Sequence, residues 1–290
     1  MPHVSSKDIL SEAREKRYGV PGLVGANLEM VVGQIAAAEE RRSPLILVFN
    51  QELTTEVPLE LGMSLIVNAA EKARVPVATI LDHGQSIESI VRAIRFGSSS
   101  VMFDGSRLPY EENVEKTKEV VRIAHAAGVC VEAELGSIVG SAVDPEDSGP
   151  EAALTDPDMA ADFVDKTGID ALAISFGNVH GVYRGEPHLD LERVRRIHSM
   201  VDVPLVMHGG SGLAESEYAK IVESGISKVC YYTAMARGAS DAIGKMMLDA
   251  GQENIIYHHI ISRAIDHFYT ETRKLLDVLG CSGVVEIADR

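Results

Sequence analysis

The residues best suited to chemistry stand together at Asp82 and His83, where the apolar run Val75-Pro76-Val77-Ala78-Thr79-Ile80-Leu81 stops abruptly on an acid, an imidazole and Gly84. A run this rich in β-branched residues reads as a strand buried on both faces, so its polar end must open onto a site. Other apolar runs end comparably, on Asp104, on Glu132 and Glu134, just before His180, and on His208. Three imidazoles with a vacant fourth position form a catalytic zinc pattern, because a borderline-soft dication takes neutral nitrogen and needs room for substrate or water. Carboxylates beside them would orient the rings. His3, His125, His188, His198, His258, His259 and His267 fall in expected helices, loops or the N-terminal tail and carry no such expectation.

Two stretches are suited to an anion. Gly209-Gly210-Ser211-Gly212 leads directly into a helix expected to begin near Ala214, which would aim backbone N–H groups at a negatively charged ligand. His180-Gly181-Val182-Tyr183-Arg184-Gly185 is the second, with Arg184 adding a charge-assisted contact.

What must position these groups is an alternation of short apolar runs with longer amphipathic stretches, repeating about every 25–30 residues without self-similarity. Expected strands are Tyr18–Val24, Pro44–Phe49, Val75–Asp82, Ser99–Gly105, Val129–Gly136, Ile169–Phe176, Val203–Gly209 and Ser227–Thr233. Helical stretches separate them, with Asn27 as an expected N-cap and Gly97, Gly128 and Gly225 where helices should stop. No G-x-G-x-x-G follows the first strand, so the α/β alternation predicts a closed (β/α)8 TIM barrel rather than an open doubly wound sheet. In a barrel the strand ends share one mouth, which brings the distant His and acidic residues together. The whole chain, residues 1–290, reads as one barrel domain, with 256–290 as a C-terminal helical extension expected to cap the barrel or to pack on a partner subunit.

Composition narrows the class. The chain has 46% hydrophobic and 24% charged residues, a formal net charge of −16 and no apolar run long enough to cross a membrane. The acidic balance argues against nucleic acid as partner, and an anionic substrate would need locally arranged donors. Three widely spaced cysteines, Cys130, Cys230 and Cys281, indicate reduced thiols, and the N-terminus lacks the layout of a signal peptide. A cytoplasmic location is expected.

Five stretches in order carry a resemblance: Leu81-Asp82-His83-Gly84, Ser100-Val101-Met102-Phe103-Asp104-Gly105-Ser106, Val131-Glu132-Ala133-Glu134-Leu135-Gly136, His180-Gly181-Val182-Tyr183 and His208-Gly209-Gly210-Ser211-Gly212. They resemble the zinc-dependent class II ketose-bisphosphate aldolases, which include the fructose- and tagatose-bisphosphate enzymes. The resemblance implies Zn2+, or another divalent metal, on His83, His180 and His208. It implies Asp82 as the group exchanging a proton with the substrate hydroxyl, Glu134 near an alternative metal position, and Asp104 behind the ligands. The long polar segment Ser137–Thr155 would be a closing lid, with Glu146 as its proton carrier. A Lys Schiff base is disfavoured, because no Lys ends the sixth strand and Lys228 falls near the start of the eighth, at the wrong mouth.

The departures concern the substrate. Where the family has an Asn, then an Asp two positions on and a Thr, this chain reads Cys230-Tyr231-Tyr232-Thr233, so only Thr233 remains. Gly22-Leu23-Val24 replaces a Phe-Asn, and Asn50-Gln51-Glu52 replaces a Ser-containing turn. Gly181, Arg184, Gly209, Gly210, Ser211, Thr233, Cys230, Tyr232 and Asn50 are therefore the expected substrate- and phosphate-binding residues. The expected reaction is reversible aldol cleavage of a ketose phosphate or bisphosphate to a dihydroxyacetone-phosphate-like product and an aldehyde, with altered specificity. The alternatives are a metal-dependent epimerase or lyase on a non-phosphorylated sugar or keto acid, and a non-catalytic sugar-phosphate-binding paralogue. The resemblance also implies a homodimer or homotetramer.

Overall fold

The computed structural model describes residues 3–53, 56–140, 153–181, 183, 185–251 and 254–286. The chain opens with helix α1 (Ser6–Lys16), then alternates β1 (Val20–Val24), α2 (Leu28–Arg41), β2 (Leu45–Asn50), α3 (Leu59–Lys72), β3 (Val77–Gly84), α4 (Ile87–Arg95), β4 (Ser100–Phe103), α5 (Tyr110–Ala126) and β5 (Cys130–Leu135). It continues through β6 (Val139–Gly140), α6 (Pro157–Thr167), β7 (Ala171–Ile174), β8 (Val179–His180), α7 (Leu191–Met200), β9 (Leu205–Met207), α8 (Glu215–Ser224), β10 (Ile226–Tyr231), α9 (Thr233–Ala250) and α10 (Tyr257–Val278).

Eight parallel strands close in the order β1-β10-β9-β7-β5-β4-β3-β2, so the expected (β/α)8 barrel is the fold. The barrel strands are rich in Val, Ile, Leu and Ala and largely buried on both faces, because helices cover the outer side and the barrel core fills the inner side. The helices stop where the chain can turn left-handed: Gly97, Gly128 and Gly225 have φ of 87°, 73° and 122°. Asn27 caps α2 by accepting a hydrogen bond from the Met30 N–H. At the α3–β2 contact the helix backbone comes so close that a Cβ on Gly62 would lie 2.0 Å from Phe49 Cε2.

Three features lie beyond the sequence expectations. First, the closure at the N-terminal end of the barrel is α1, whose Ile9, Leu10 and Ala13 are buried and whose Ser6 N–H donates to Ser100 Oγ. The C-terminal helix α10 does not take that place. It packs on the outer ring against α2 and α9, crossing α2 so closely that a Cβ on Gly33 would meet Ile265 O at 2.7 Å. Second, β6 and β8 form a separate two-stranded ribbon above the barrel mouth, pairing Val139 with Val179 and Gly140 with His180. Third, several strands are shorter than the apolar runs: β9 ends at Met207, leaving His208 just beyond it, and Thr233 opens α9 instead of ending a strand. Among the described residues no helix is long and apolar enough to cross a membrane.

Candidate active site

Neighbouring strand residues normally point to opposite faces, yet Asp82 and His83 both reach the barrel mouth. The reason is local. His83 has a left-handed φ of 47°, and the pairing of β3 with β4 slips between Leu81 and Gly84. A bulge with one residue in this region rotates the strand end and turns His83 inward beside Asp82. Such a backbone conformation at a bulky residue is costly and marks a position held by its surroundings. Here the holding contacts are Asp104 Oδ2, 2.7 Å from His83 Nδ1, and the Asp104 N–H on Gly84 O at 2.9 Å.

His208 is held from the opposite side. Its Nε2 lies 3.0 Å from Glu132 Oε1, while Glu132 Oε2 accepts from Lys228 Nζ at 2.7 Å. All three side chains are essentially excluded from water. Lys228 therefore does not lie at the far mouth, as its position in sequence suggested. Its long side chain rises inside the barrel from β10, into space left by Gly22, where a Cβ would sit 3.0 Å from Lys228 Cε. Sequence reading missed this residue because distance along a strand says nothing of how far a lysine reaches.

His180 arrives on the β6–β8 ribbon. Gly209 makes that approach possible: a side chain there would stand 2.2 Å from Val179 O. The three imidazoles form one cluster, with ring centroids 4.6 Å apart for His83–His208, 5.2 Å for His83–His180 and 5.9 Å for His180–His208. One nitrogen from each lies within 4.8 Å of the others. The carboxylates accept at His83 Nδ1 and His208 Nε2, so His83 Nε2 and His208 Nδ1 are left facing Asp82 at 3.8 and 4.0 Å, and His180 Nε2 is buried with no hydrogen-bond partner among the described residues. Two more buried oxygens, Asp82 Oδ1 and Glu134 Oε2, also lack hydrogen-bond partners among the described residues, with His208 Nδ1 and His83 Nδ1 only at 4.0 Å. Buried polar atoms left unsatisfied in one cluster fit a group that a bound cation would satisfy.

The electrostatics agree. Burial alone would lower the His83 pKa, but Asp82, Asp104 and Glu134 hold it up at about 10. Burial, with two neighbouring imidazoles, lowers His180 to about 3. Asp82 stays ionised although buried, because His83, His208, Lys228 and the Asn50 amide outweigh desolvation. Glu134 is pushed well above the usual range by burial and by Asp104. Without an ion the carboxylates keep His83 protonated, and a dication would displace that proton and sit among the ring nitrogens and surrounding carboxylates. Two further groups of suitable ligands adjoin it, Asp82–His208–Cys230 and His83–Asp104–Glu134.

A cavity of about 430 Å³ opens over these residues. Of the expected substrate-binding positions, Asn50, Gly181, Gly209, Ser211, Cys230, Tyr232 and Thr233 line it. Gly210 does not, and its N–H is spent on Cys230 O at 3.0 Å. Ser211 Oγ accepts from the Tyr232 N–H at 3.0 Å, so its own hydroxyl proton remains to donate. Asn50 bonds Asp82 Oδ2 at 3.3 Å, which makes it a support for the acid. Arg184 and Glu146 lie outside the described residues, as does most of the expected lid. Glu52 and Tyr231, from the stretches that depart from the family pattern, and Ile138, from the expected lid, line the wall too, beside residues that sequence reading passed over: Leu53, Gln85 and Arg107. Arg107 had a signal in its place three residues beyond Asp104.

Comparison with known proteins agrees with this geometry. The family model for fructose-bisphosphate aldolase class-II matches residues 4–284. A sulfofructosephosphate aldolase from Alkalicoccus urumqiensis is 35% identical over 260 residues, 90% of this chain and 91% of that protein. The crystal structure of the YdjI aldolase from Escherichia coli K12 superposes with a TM-score of 0.87 at 34% identity, covering 98% of this chain and all of that one. The structure described as a putative fructose-1,6-biphosphate aldolase from Coccidioides immitis gives 0.85 at 30% identity over 96% of each chain. The chain belongs to the class II fructose-bisphosphate aldolase family, and is a carbon–carbon lyase built on an eight-stranded barrel.

Proposed function

We propose that the protein catalyses reversible aldol cleavage of a ketose phosphate, using a divalent metal, zinc by its donor set, held by His83, His180 and His208. The observation that carries this is the convergence of three imidazole nitrogens, one of them buried and unpartnered, beside a buried ionised aspartate. A bound divalent metal would act as a Lewis acid on the ketone and adjacent hydroxyl oxygens, stabilising the negative charge that cleavage leaves on the ketone-bearing fragment.

The protein's own groups do the rest. Asp82 stands at the cavity floor with Oδ1 free, placed to take the proton from the hydroxyl whose carbon leaves as aldehyde. Asn50 holds its other oxygen, and Lys228, through Glu132, keeps positive charge beneath it so that it remains ionised between turnovers. Asp104 and Glu132 fix the ring orientations of His83 and His208. Gly181, Ser211 and Thr233, on the wall below the β6–β8 ribbon and at the start of α9, would receive the phosphate, Ser211 through its hydroxyl. Cys230, Tyr231 and Tyr232 reshape this wall, which supports a substrate other than fructose bisphosphate. The Alkalicoccus relative is named for a ketose phosphate carrying a sulfo group.

The test is metal analysis together with turnover. Purified protein should contain about one divalent ion per chain, and His180→Ala should lose both the ion and the release of aldehyde from ketose phosphates. Full metal content with no carbon–carbon cleavage across a panel of ketose phosphates would refute the reading. Proton exchange at a sugar carbon without cleavage would instead favour an epimerase.

A further inference from the structure

The turn Gly209-Gly210-Ser211-Gly212 is rich in glycine because its surroundings leave no room for side chains. A Cβ on Gly209 would stand 2.2 Å from Val179 O, and one on Gly210 would stand 2.5 Å from Val229 Cγ1. Gly209 and Gly212 also hold left-handed φ angles of 69° and 83°. Such a stretch has no preference of its own for the direction of its peptide units, since glycine populates both signs of φ. Contacts from outside the turn must set that direction.

Three side chains do so, on three successive carbonyls. Asn178 Nδ2 donates to His208 O at 2.9 Å, Tyr183 Oη to Gly209 O at 2.9 Å, and Tyr218 Oη to Gly210 O at 2.7 Å. The donors are themselves held in place. Asn178 is buried, and its Oδ1 accepts from the Phe176 N–H at 2.8 Å. The Tyr183 oxygen accepts from the Val179 N–H at 3.3 Å, beside His180. Tyr218 is buried on α8, which packs on the outside of β10.

A trans peptide points its N–H opposite to its C=O, so a clamp on one carbonyl aims the amide of the next residue. Gly209 shows the rule at work. Tyr183 holds its carbonyl on the ribbon side, and the Gly210 N–H points the other way, to Cys230 O on β10 at 3.0 Å. At Gly210 the same rule fixes Ser211. Tyr218 draws the Gly210 carbonyl outward to α8, which turns the Ser211 N–H inward, to the cavity that Ser211 lines. That N–H makes no hydrogen bond to a described residue. The Ser211 side chain is held separately, by the Tyr232 N–H on its Oγ at 3.0 Å.

We infer that Tyr218 is a positioning residue for the phosphate end of the substrate: without lining the cavity, it holds the Gly210–Ser211 peptide so that the Ser211 N–H stays available to an oxyanion. This rests on the lyase reading above, in which that wall receives the phosphate, and adds what shapes the wall. Tyr183 has a wider part, because its oxygen joins Gly209 O to the N–H of the residue before His180. The glycine turn and the ribbon that delivers a metal ligand thus share one support, whereas Tyr218 acts on the turn alone. Fixed donors of this kind need no reordering when the ligand arrives, which is where their contribution to affinity lies.

The test uses an unreactive ligand, so that it does not depend on turnover. Tyr218→Phe keeps the ring and removes only the hydroxyl. By calorimetry on the metal-loaded proteins, Tyr218→Phe should bind hexitol 1-phosphate about tenfold more weakly than wild type, with metal affinity unchanged within about twofold. Tyr183→Phe should weaken both the phosphate ligand and the metal. In the wild type, amide NMR during the same titration should move the Ser211 N–H proton downfield and leave the Gly210 N–H, already spent on Cys230 O, close to its free position. Three results would each overturn the inference: hexitol 1-phosphate bound by the wild type no tighter than hexitol, an unmoved Ser211 amide, or Tyr218→Phe binding the ligand as the wild type does. Loss of metal from Tyr218→Phe in the same proportion as the ligand would overturn it too, since that marks general loosening of the site. The expected pattern with no cleavage of any ketose phosphate would overturn the lyase reading and leave Tyr218 in its role.

Discussion

Replacing Lys228 by Met tests the charge network under the histidines. Lys228 is fully buried and its ammonium lies 2.7 Å from Glu132 Oε2, while Glu132 is the partner of His208. Removing one member of a buried pair strands the other, at a cost of about 3–5 kcal/mol. For 290 residues the unfolding entropy at the midpoint is about 0.6 kcal/mol/K, so the melting temperature should fall by about 5–8 °C. The loss should vary with pH in a defined direction. Among the causes acting on Glu132, burial raises its pKa, but Lys228 and then His208 more than reverse this and hold it low. A depressed carboxylate contributes stability above its unfolded value and loses it as pH falls, whereas without Lys228 the same carboxyl protonates readily. The gap between wild type and variant should therefore widen as pH rises from 5 to 8. Calorimetry of the metal-free proteins, with Lys228→Met/Glu132→Leu as the second variant, measures this. The double variant should recover much of the stability, since an apolar pair removes both charges, yet still bind metal more weakly because His208 has lost its carboxylate. Lys228→Met melting within 1 °C of wild type at every pH would refute the assignment.

Three other outcomes follow from the structure. Asp82→Asn should lower kcat about 10²–10⁴-fold while leaving the metal in place, as read by steady-state kinetics beside metal analysis; loss of the ion would move Asp82 from proton transfer to ligation. Gly62→Ala forces a methyl group against the buried Phe49 ring, 2.0 Å from Cε2, and should destabilise by about 1–3 kcal/mol in denaturant titration; an unchanged midpoint would contradict the packing of α3 on β2. Asp170, buried under the barrel, accepts from the Val131 N–H at 2.9 Å and pairs with His125 and Lys7, which together outweigh burial and lower its pKa. Its contribution is present above the unfolded value of about 3.9 and lost as pH falls through the lower folded value, so Asp170→Asn should cost about 2 kcal/mol at pH 7 and converge on wild type as pH falls below the unfolded value and through the folded one, in acid-unfolding curves followed by circular dichroism.

The barrel and its candidate site were legible from the sequence for one physical reason: both follow from local pattern. A strand buried on both faces must be a continuous apolar run, so each run and its polar end can be read directly, and a parallel barrel sends all those ends to one mouth. That alone brings His83, His208, Asp104, Glu134 and Asp82 together. The separations between them in sequence carry no information about which carboxylate meets which ring, and the pairing of His83 with Asp104 and of His208 with Glu132 emerges only when the strands are in register.

What tertiary structure decided is whatever depends on reach or close approach. The left-handed His83 has no sequence signature, because a histidine adopts it only when the slipped β3–β4 pairing imposes it. Gly209 reads as part of an anion-binding turn, yet its lack of a side chain is demanded by the Val179 carbonyl on the ribbon that delivers His180. Lys228 reads as a residue near the wrong end of a strand and proves to be the cation beneath the site, since a long side chain in a barrel core crosses layers that sequence numbering cannot express.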